Sequence, residues 1–179
     1  MNKKSKVLFL QSWFSKVTDN WYPWLETELK KKGYETYFPD IPEMRKDVPD
    51  MAKILKFIES LKVTDKDTII IGHSLGNLLA MRLAEKFKYK QMILVSAWDY
   101  DDLCEGHILF WKNKINHSKI KENVKDITVI HSDNDPYYTA ISAEDTAKRL
   151  NAKLIIIKGG GHFGSKEKTK KMPEILKLL

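Results

Sequence analysis

The sequence predicts a parallel α/β fold, one sheet with helices on both faces. Two observations carry this expectation. Short apolar runs alternate with helix-spaced stretches along the chain, as in Thr68–Ile71 before Leu75–Phe87. Two of the runs, around Ile69–Ile71 and Leu154–Ile157, are unbroken apolar blocks of the kind a strand needs when both its faces are covered. Strand–helix alternation then gives a parallel sheet, and right-handed crossovers limit its topology. A chain of 179 residues fits one domain spanning 1–179, long enough for a core without disulfide or metal staples.

The elements follow in order. Val7–Leu10 is the first strand. The lysines before it give it the look of a signal peptide, but its four apolar residues fall short of such a region's ~7, and Gln11–Ser12 end it. The expectation is a buried strand in a cytoplasmic protein. Trp21–Lys32 carries apolar residues at Trp21, Trp24, Leu25 and Leu29, with Gly33 as a stop. Tyr34–Phe38 is the second strand, followed by a proline-rich loop from Pro39 to Pro49. Met51–Leu61 repeats at Ile54, Leu55, Ile58 and Leu61. Thr68–Ile71, Met92–Val95, Ile127–Ile130 and Leu154–Ile157 supply the other strands. Leu75–Phe87, Ala140–Leu150 and Glu167–Leu179 read as the other helices. Residues 98–124 have no clear period and read as a small cap, or a loop with one short helix.

Charge and cysteine usage narrow the function classes. The net charge is +7, yet the basic residues are mostly lysines spread over the whole chain, many beside acids. The densest cluster, Lys166, Lys168, Lys170 and Lys171, reads as a solvated helix face. With no recognition motif beside it, the charge gives no expectation of nucleic-acid binding. A single cysteine, Cys104, excludes a disulfide framework and a cysteine-rich zinc site. No apolar run approaches the ~18 residues that span a membrane.

The chemistry gathers at three strand ends. Gly72-His73-Ser74-Leu75-Gly76 is a Gly-x-Ser-x-Gly between a buried strand and an apolar helix. That is the setting of a nucleophile elbow, where the serine sits on a sharp turn with its hydroxyl pushed out of the sheet. The helix beginning at Leu75 offers a positive dipole and free N–H groups, and the Leu75 N–H can bind a developing oxyanion. A serine needs a base, and the base needs an orienting carboxylate. Of the histidines after the serine, His162 lies in Gly159-Gly160-Gly161-His162-Phe163-Gly164, directly after the last strand. His131 ends its own strand and reads as a structural hydrogen-bonding group. His107 and His117 read as surface residues. The acid belongs after the preceding strand, where Asp133 and Asp135 are both available; Pro136 stiffens the loop at Asp135 and favours it.

These blocks, with Trp21-Tyr22-Pro23-Trp24-Leu25 and Leu94-Val95-Ser96-Ala97, resemble the small α/β-hydrolases of the YdeN and retinoblastoma-binding-protein type. The resemblance covers nearly the whole chain. It implies a three-layer α/β-hydrolase fold with six parallel strands in the order 2-1-3-4-5-6 and minimal or no lid. It assigns Ser74 as nucleophile, Asp135 as orienting acid and His162 as general base. The activity it implies is a serine hydrolase (carboxylesterase-like) acting on a small-molecule acyl substrate through an acyl-enzyme. No metal or cofactor is implied.

Two departures matter. Family members often carry glycines after the first strand, where a second oxyanion donor resides; here the loop reads Gln11-Ser12-Trp13-Phe14. A donor near Ser12 is the expectation. The glycine-free loop also supports a second reading, a non-catalytic protein-binding module on a hydrolase scaffold. The leucine-x-cysteine-x-glutamate motif of the retinoblastoma-binding relative is absent; Leu61-Lys62-Val63-Thr64-Asp65 stands there, so that partnership is not carried over. For the substrate pocket, the aromatics after strand ends point to walls from Trp13, Phe14, Trp98 and Trp111, with Tyr100 and Phe110 nearby. A shallow apolar pocket for short chains is expected.

Overall fold

The structure is a computed structural model that describes residues 5–179. The charged start Met1–Lys4 lies outside the described residues. Six strands form one sheet, β1 (Lys6–Leu10), β2 (Glu35–Tyr37), β3 (Thr68–His73), β4 (Gln91–Val95), β5 (Ile127–Ser132) and β6 (Lys153–Ile157). Their order is β2-β1-β3-β4-β5-β6, and every adjacent pair is parallel.

Alternation along the strands builds the layers. Val7 and Phe9 of β1 point to one face with Ile69, Ile71, Ile93 and Val95. There they meet α1 (Tyr22–Lys31) and α6 (Pro173–Leu176). Leu8 and Leu10 point to the other face with Ile70, Met92, Leu94 and Val129. That face is covered by α2 (Met51–Ser60), α3 (Leu75–Ala84), α4 (His117–Asn123) and α5 (Ala140–Leu150). The expected three-layer arrangement is thus present, with no large insertion over the strand ends among the described residues.

Helix starts follow local chemistry. Asp50 caps α2 by accepting from Lys53 N, Asn116 caps α4 through Lys119 N, and Thr139 caps α5 through Ser142 N. α5 ends on Asn151 in the left-handed region, φ +52°. The expected helix over Glu167–Leu179 is corrected to four residues, Pro173–Leu176. Lys166, Lys168, Lys170 and Lys171 repel one another at helical spacing, and Pro173 lacks the N–H a continuous helix needs there. Residues 98–124 hold a 3₁₀ turn, Glu105–Phe110, and then α4. β6 is an edge strand with Ile156 exposed, not covered on both faces as its apolar run suggested. Among the described residues, no helix is long and apolar enough to cross a membrane.

Candidate active site

The elbow is built by close packing. Ser74 takes φ +53° and ψ −121°, a strained conformation for a residue with a side chain. The turn is held by Ser74 N donating to Val95 O at 2.9 Å and Asn77 N donating to Ser74 O at 2.8 Å. Asn77 Nδ2 donates to Val95 O at 2.7 Å, so a buried amide ties α3 to the end of β4. A Cβ on Gly76 would lie 2.2 Å from Leu10 O, and one on Gly72 would lie 2.7 Å from Gly76 O. Neither position has room for a side chain.

Three strand ends converge on that turn. His162 Nε2 lies 2.9 Å from Ser74 Oγ, and His162 Nδ1 lies 2.8 Å from Asp135 Oδ2. A carboxylate only accepts, so Nδ1 carries the hydrogen in the neutral ring and Nε2 is left to accept from the serine hydroxyl. The Asp135 side chain is fully buried. Its Oδ1 accepts from Tyr137 N at 2.9 Å and Tyr138 N at 3.3 Å. Burial pushes its pKa up, but the hydrogen bond and charge of His162 and these backbone donors outweigh burial and hold it below the usual carboxylate value.

Asp133 has a different task. Its Oδ1 accepts from Gly159 N at 2.7 Å, Ser132 Oγ accepts from Gly160 N at 2.8 Å, and Asn134 Oδ1 accepts from Gly161 N at 2.8 Å. The glycine loop bearing His162 hangs on three consecutive side chains at the end of β5, Ser132, Asp133 and Asn134. His131 Nε2 bonds Tyr138 O at 2.9 Å and braces the loop after β5 that carries Asp135.

A cavity of about 560 Å³ opens in front of Ser74 and His162. Trp13, Phe14, Tyr137 and Tyr138 form its walls, and Ser12 lies at its edge. Trp13 Nε1 donates to Lys46 O at 2.8 Å and its ring stacks on Phe14, so the pair bounds the cavity without filling it. Trp98 is elsewhere, fully buried and stacked on Tyr138 at 4.1 Å between ring centroids. It backs the wall and does not line it. Phe110 is core. Trp111 lines a separate cavity of about 720 Å³ with Tyr100 and Asp99. Asp99 is buried there between Arg149, Thr146 and His117, with His117 Nε2 at 2.7 Å.

Five residues lining the cavity in front of Ser74 were not visible as site residues in the sequence: Asp102, Cys104, His107, Tyr137 and Tyr138. His107, expected at the surface, is buried between the Trp13 and Trp98 rings. Its Nδ1 donates to Asp102 Oδ2 at 2.9 Å, and Tyr138 O–H donates to the same oxygen at 2.8 Å. The 3₁₀ turn that delivers His107 has no sequence period to announce it. Among the described residues, no group of three or more His, Cys, Asp or Glu is arranged to hold a metal ion.

The family model "Serine hydrolase" matches residues 7–179, nearly the whole chain. The chain belongs to the serine hydrolase family. It is similar to serine hydrolase RBBP9 of Rattus norvegicus, 34% identical over 158 residues, covering 84% of this chain and 82% of the rat protein. It is also similar to YdeN of Bacillus subtilis, 24% identical over 184 residues, covering 97% of this chain and 94% of YdeN. The crystal structure of YdeN superposes with a TM-score of 0.88 over 98% of this chain and 96% of that one. The enzyme is therefore a serine hydrolase on an α/β-hydrolase fold with a minimal lid.

Proposed function

We propose that this serine hydrolase cleaves small esters or related acyl compounds through an acyl-enzyme, with Ser74, His162 and Asp135 as its catalytic residues. The observation that carries the reading is the unbroken path Ser74 Oγ–His162 Nε2 at 2.9 Å and His162 Nδ1–Asp135 Oδ2 at 2.8 Å. His162 takes the serine proton as Oγ attacks the acyl carbon. Buried Asp135 holds the ring in the tautomer that leaves Nε2 free and stabilises the imidazolium that forms. The imidazolium then gives its proton to the leaving alcohol. Water enters, loses a proton to His162 and releases the acid and the serine.

The developing oxyanion needs fixed donors. The Leu75 N–H at the start of α3 is one, and the loop after β1 supplies the second beyond Ser12, whose own N–H is directed to Tyr22 Oη at 3.4 Å. Each such donor contributes about 3 kcal/mol to the transition state in comparable sites. The cavity in front of Ser74 supports this reading over a purely binding role, since Trp13 and Phe14 leave it open.

A fluorophosphonate probe tests the assignment. The enzyme is expected to label stoichiometrically, and Ser74→Ala not at all. His162→Ala is expected to lose about 10⁴-fold or more in kcat on p-nitrophenyl acetate, because the three residues act as a unit. Labelling of Ser74→Ala, or turnover by His162→Ala near that of the parent, would overturn it.

A further inference from the structure

A second line of hydrogen bonds runs through buried residues beside the reacting pair and ends at Ser12, at the edge of the cavity. His73, the residue before Ser74, is fully buried. Its Nε2 lies 2.9 Å from the backbone carbonyl oxygen of His162, and its Nδ1 lies 2.7 Å from Tyr22 Oη. Tyr22 is fully buried as well, and its Oη meets Ser12 Oγ at 2.9 Å and Ser12 N at 3.4 Å.

Donor and acceptor rules fix the direction of this line. A carbonyl only accepts, so Nε2 of His73 carries the hydrogen. The neutral ring then presents a lone pair at Nδ1, and Tyr22 O–H must donate to it. Tyr22 Oη is thereby free to accept from Ser12. Burial, with the neighbouring His162 adding to it, pushes the His73 pKa down to about 3, so the ring stays neutral and the line keeps its direction at any pH near neutrality.

The two ends of the line lie on loops, Ser12 where Ser15 Oγ donates to its carbonyl at 2.8 Å and His162 on the loop tied to the end of β5. Ser12 belongs to the loop after β1, which has no glycine and no regular structure. His162 sits on the glycine loop, next to Phe163 at φ +54°. The neighbouring Trp21 Nε1 donates to Phe163 O at 3.1 Å, so the loop is held directly by Trp21 and, through His73, by Tyr22.

We infer that Tyr22 and His73 are positioning residues, a buried Ser12–Tyr22–His73 relay that holds the backbone of His162 and the loop at Ser12 in register around Ser74. Neither touches substrate. The relay rests on the assignment of Ser74 and His162 made above. A general base must keep its nitrogen within a few tenths of an ångström of the hydroxyl, and a displacement of about 1 Å costs on the order of 100-fold in rate.

Variants of the two residues separate this role from mere stability. His73→Leu removes both bonds, and its kcat on p-nitrophenyl acetate is expected to fall about 100-fold with KM within about twofold of the parent. His73→Gln can place an amide N–H₂ where Nε2 was, and is expected to recover to within about tenfold of the parent. Tyr22→Phe deletes one hydroxyl and is expected to lower kcat about tenfold, again at constant KM. Fluorophosphonate labelling rates should fall in the same order. Parental kcat in Tyr22→Phe, or equal losses in His73→Leu and His73→Gln at equal melting temperature, would overturn the relay. So would a loss confined to KM. If His73→Leu fails to fold, Tyr22→Phe and His73→Gln still decide. Absence of labelling in the parent enzyme would instead count against the Ser74 assignment itself.

Discussion

His73 shows how one residue type takes opposite tasks one position from the nucleophile. In the proposed mechanism His162 exchanges protons with Ser74; His73 takes no part in that exchange. Burial gives His73 a pKa of about 3 against 6.5 for the free side chain. The sign of the stability effect follows. The unfolded chain binds a proton at this residue below pH 6.5 and the folded chain does not until about pH 3. Its contribution is fully present above pH 6.5 and is lost as pH falls toward 3. Between pH 6.5 and 5, above the range where most carboxylates titrate, the unfolding free energy is expected to fall by up to ~1.4 kcal/mol per pH unit from this group. Urea unfolding of the parent and of His73→Gln at pH 7.5, 6 and 5 checks it. The parent should lose more stability on acidification than the variant; parallel losses would show that His73 titrates normally in the fold. The sequence could point to Ser74, Asp135 and His162 because each directly follows a β-rich run and carries its own local signature. It could not point to the tasks of Ser12, Tyr22 and His73. Their hydrogen bonds join residues 10, 51 and 89 positions apart, and no local pattern encodes such a meeting.

At the scale of elements, strand positions were legible because burial on both faces demands continuous apolar residues. β1, β3, β4 and β5 each include their predicted run and extend it by one or two residues. β6 also includes its run, but as an edge strand it is only partly covered, with Ile156 exposed. The tail beyond it has helix-like spacing without the charge balance or backbone donors to keep a helix going. The glycines of the elbow carry the hardest constraint between elements. A methyl at Gly76 would stand 2.2 Å from Leu10 O, a backbone atom of β1 that cannot swing aside. Gly76→Ala must push α3 off β1, and Ser74 rides on the first turn of α3. The expected cost is on the order of 3 kcal/mol, or roughly 10 °C in melting temperature for a domain of this size. Labelling of Ser74 should be lost with it. Calorimetry and the fluorophosphonate assay on the same preparation check both; a variant with parental melting and labelling would mean that the helix and strand lie further apart than described.

For the molecule as a whole, substrate choice depends on what covers the carboxyl ends of the strands. Among the described residues, the loop after β1, the segment from Asp102 through the 3₁₀ turn at Glu105–Phe110, the Tyr137–Tyr138 corner and His162 bound about 560 Å³ in front of Ser74. That space must hold the acyl chain and the leaving group together. Its walls are uneven. Trp13, Phe14, Tyr137 and Tyr138 are aromatic, while Asp102 and His107 put a polar pair on the same lining. Asp102 is an ionised carboxylate; burial raises its pKa, but the hydrogen bonds from His107 and Tyr138 hold it below the usual value. A short apolar chain gains from the rings, at up to ~0.8 kcal/mol or about fourfold for each methylene taken out of water. A longer chain runs out of enclosed wall and emerges past Phe14 and Tyr137, which are more than half exposed, at 55% and 56%. There further methylenes gain little. A negatively charged acyl group meets Asp102 and pays for its lost hydration without a cationic partner in the lining. Across p-nitrophenyl esters, kcat/KM is therefore expected to climb from acetate to about butyrate, flatten by hexanoate and decline beyond, with the succinyl ester well below butyrate. A steady rise through decanoate would mean that the open rim binds chains as well as the enclosed walls do, and a preference for the succinyl ester would mean that the lining is not acidic as described.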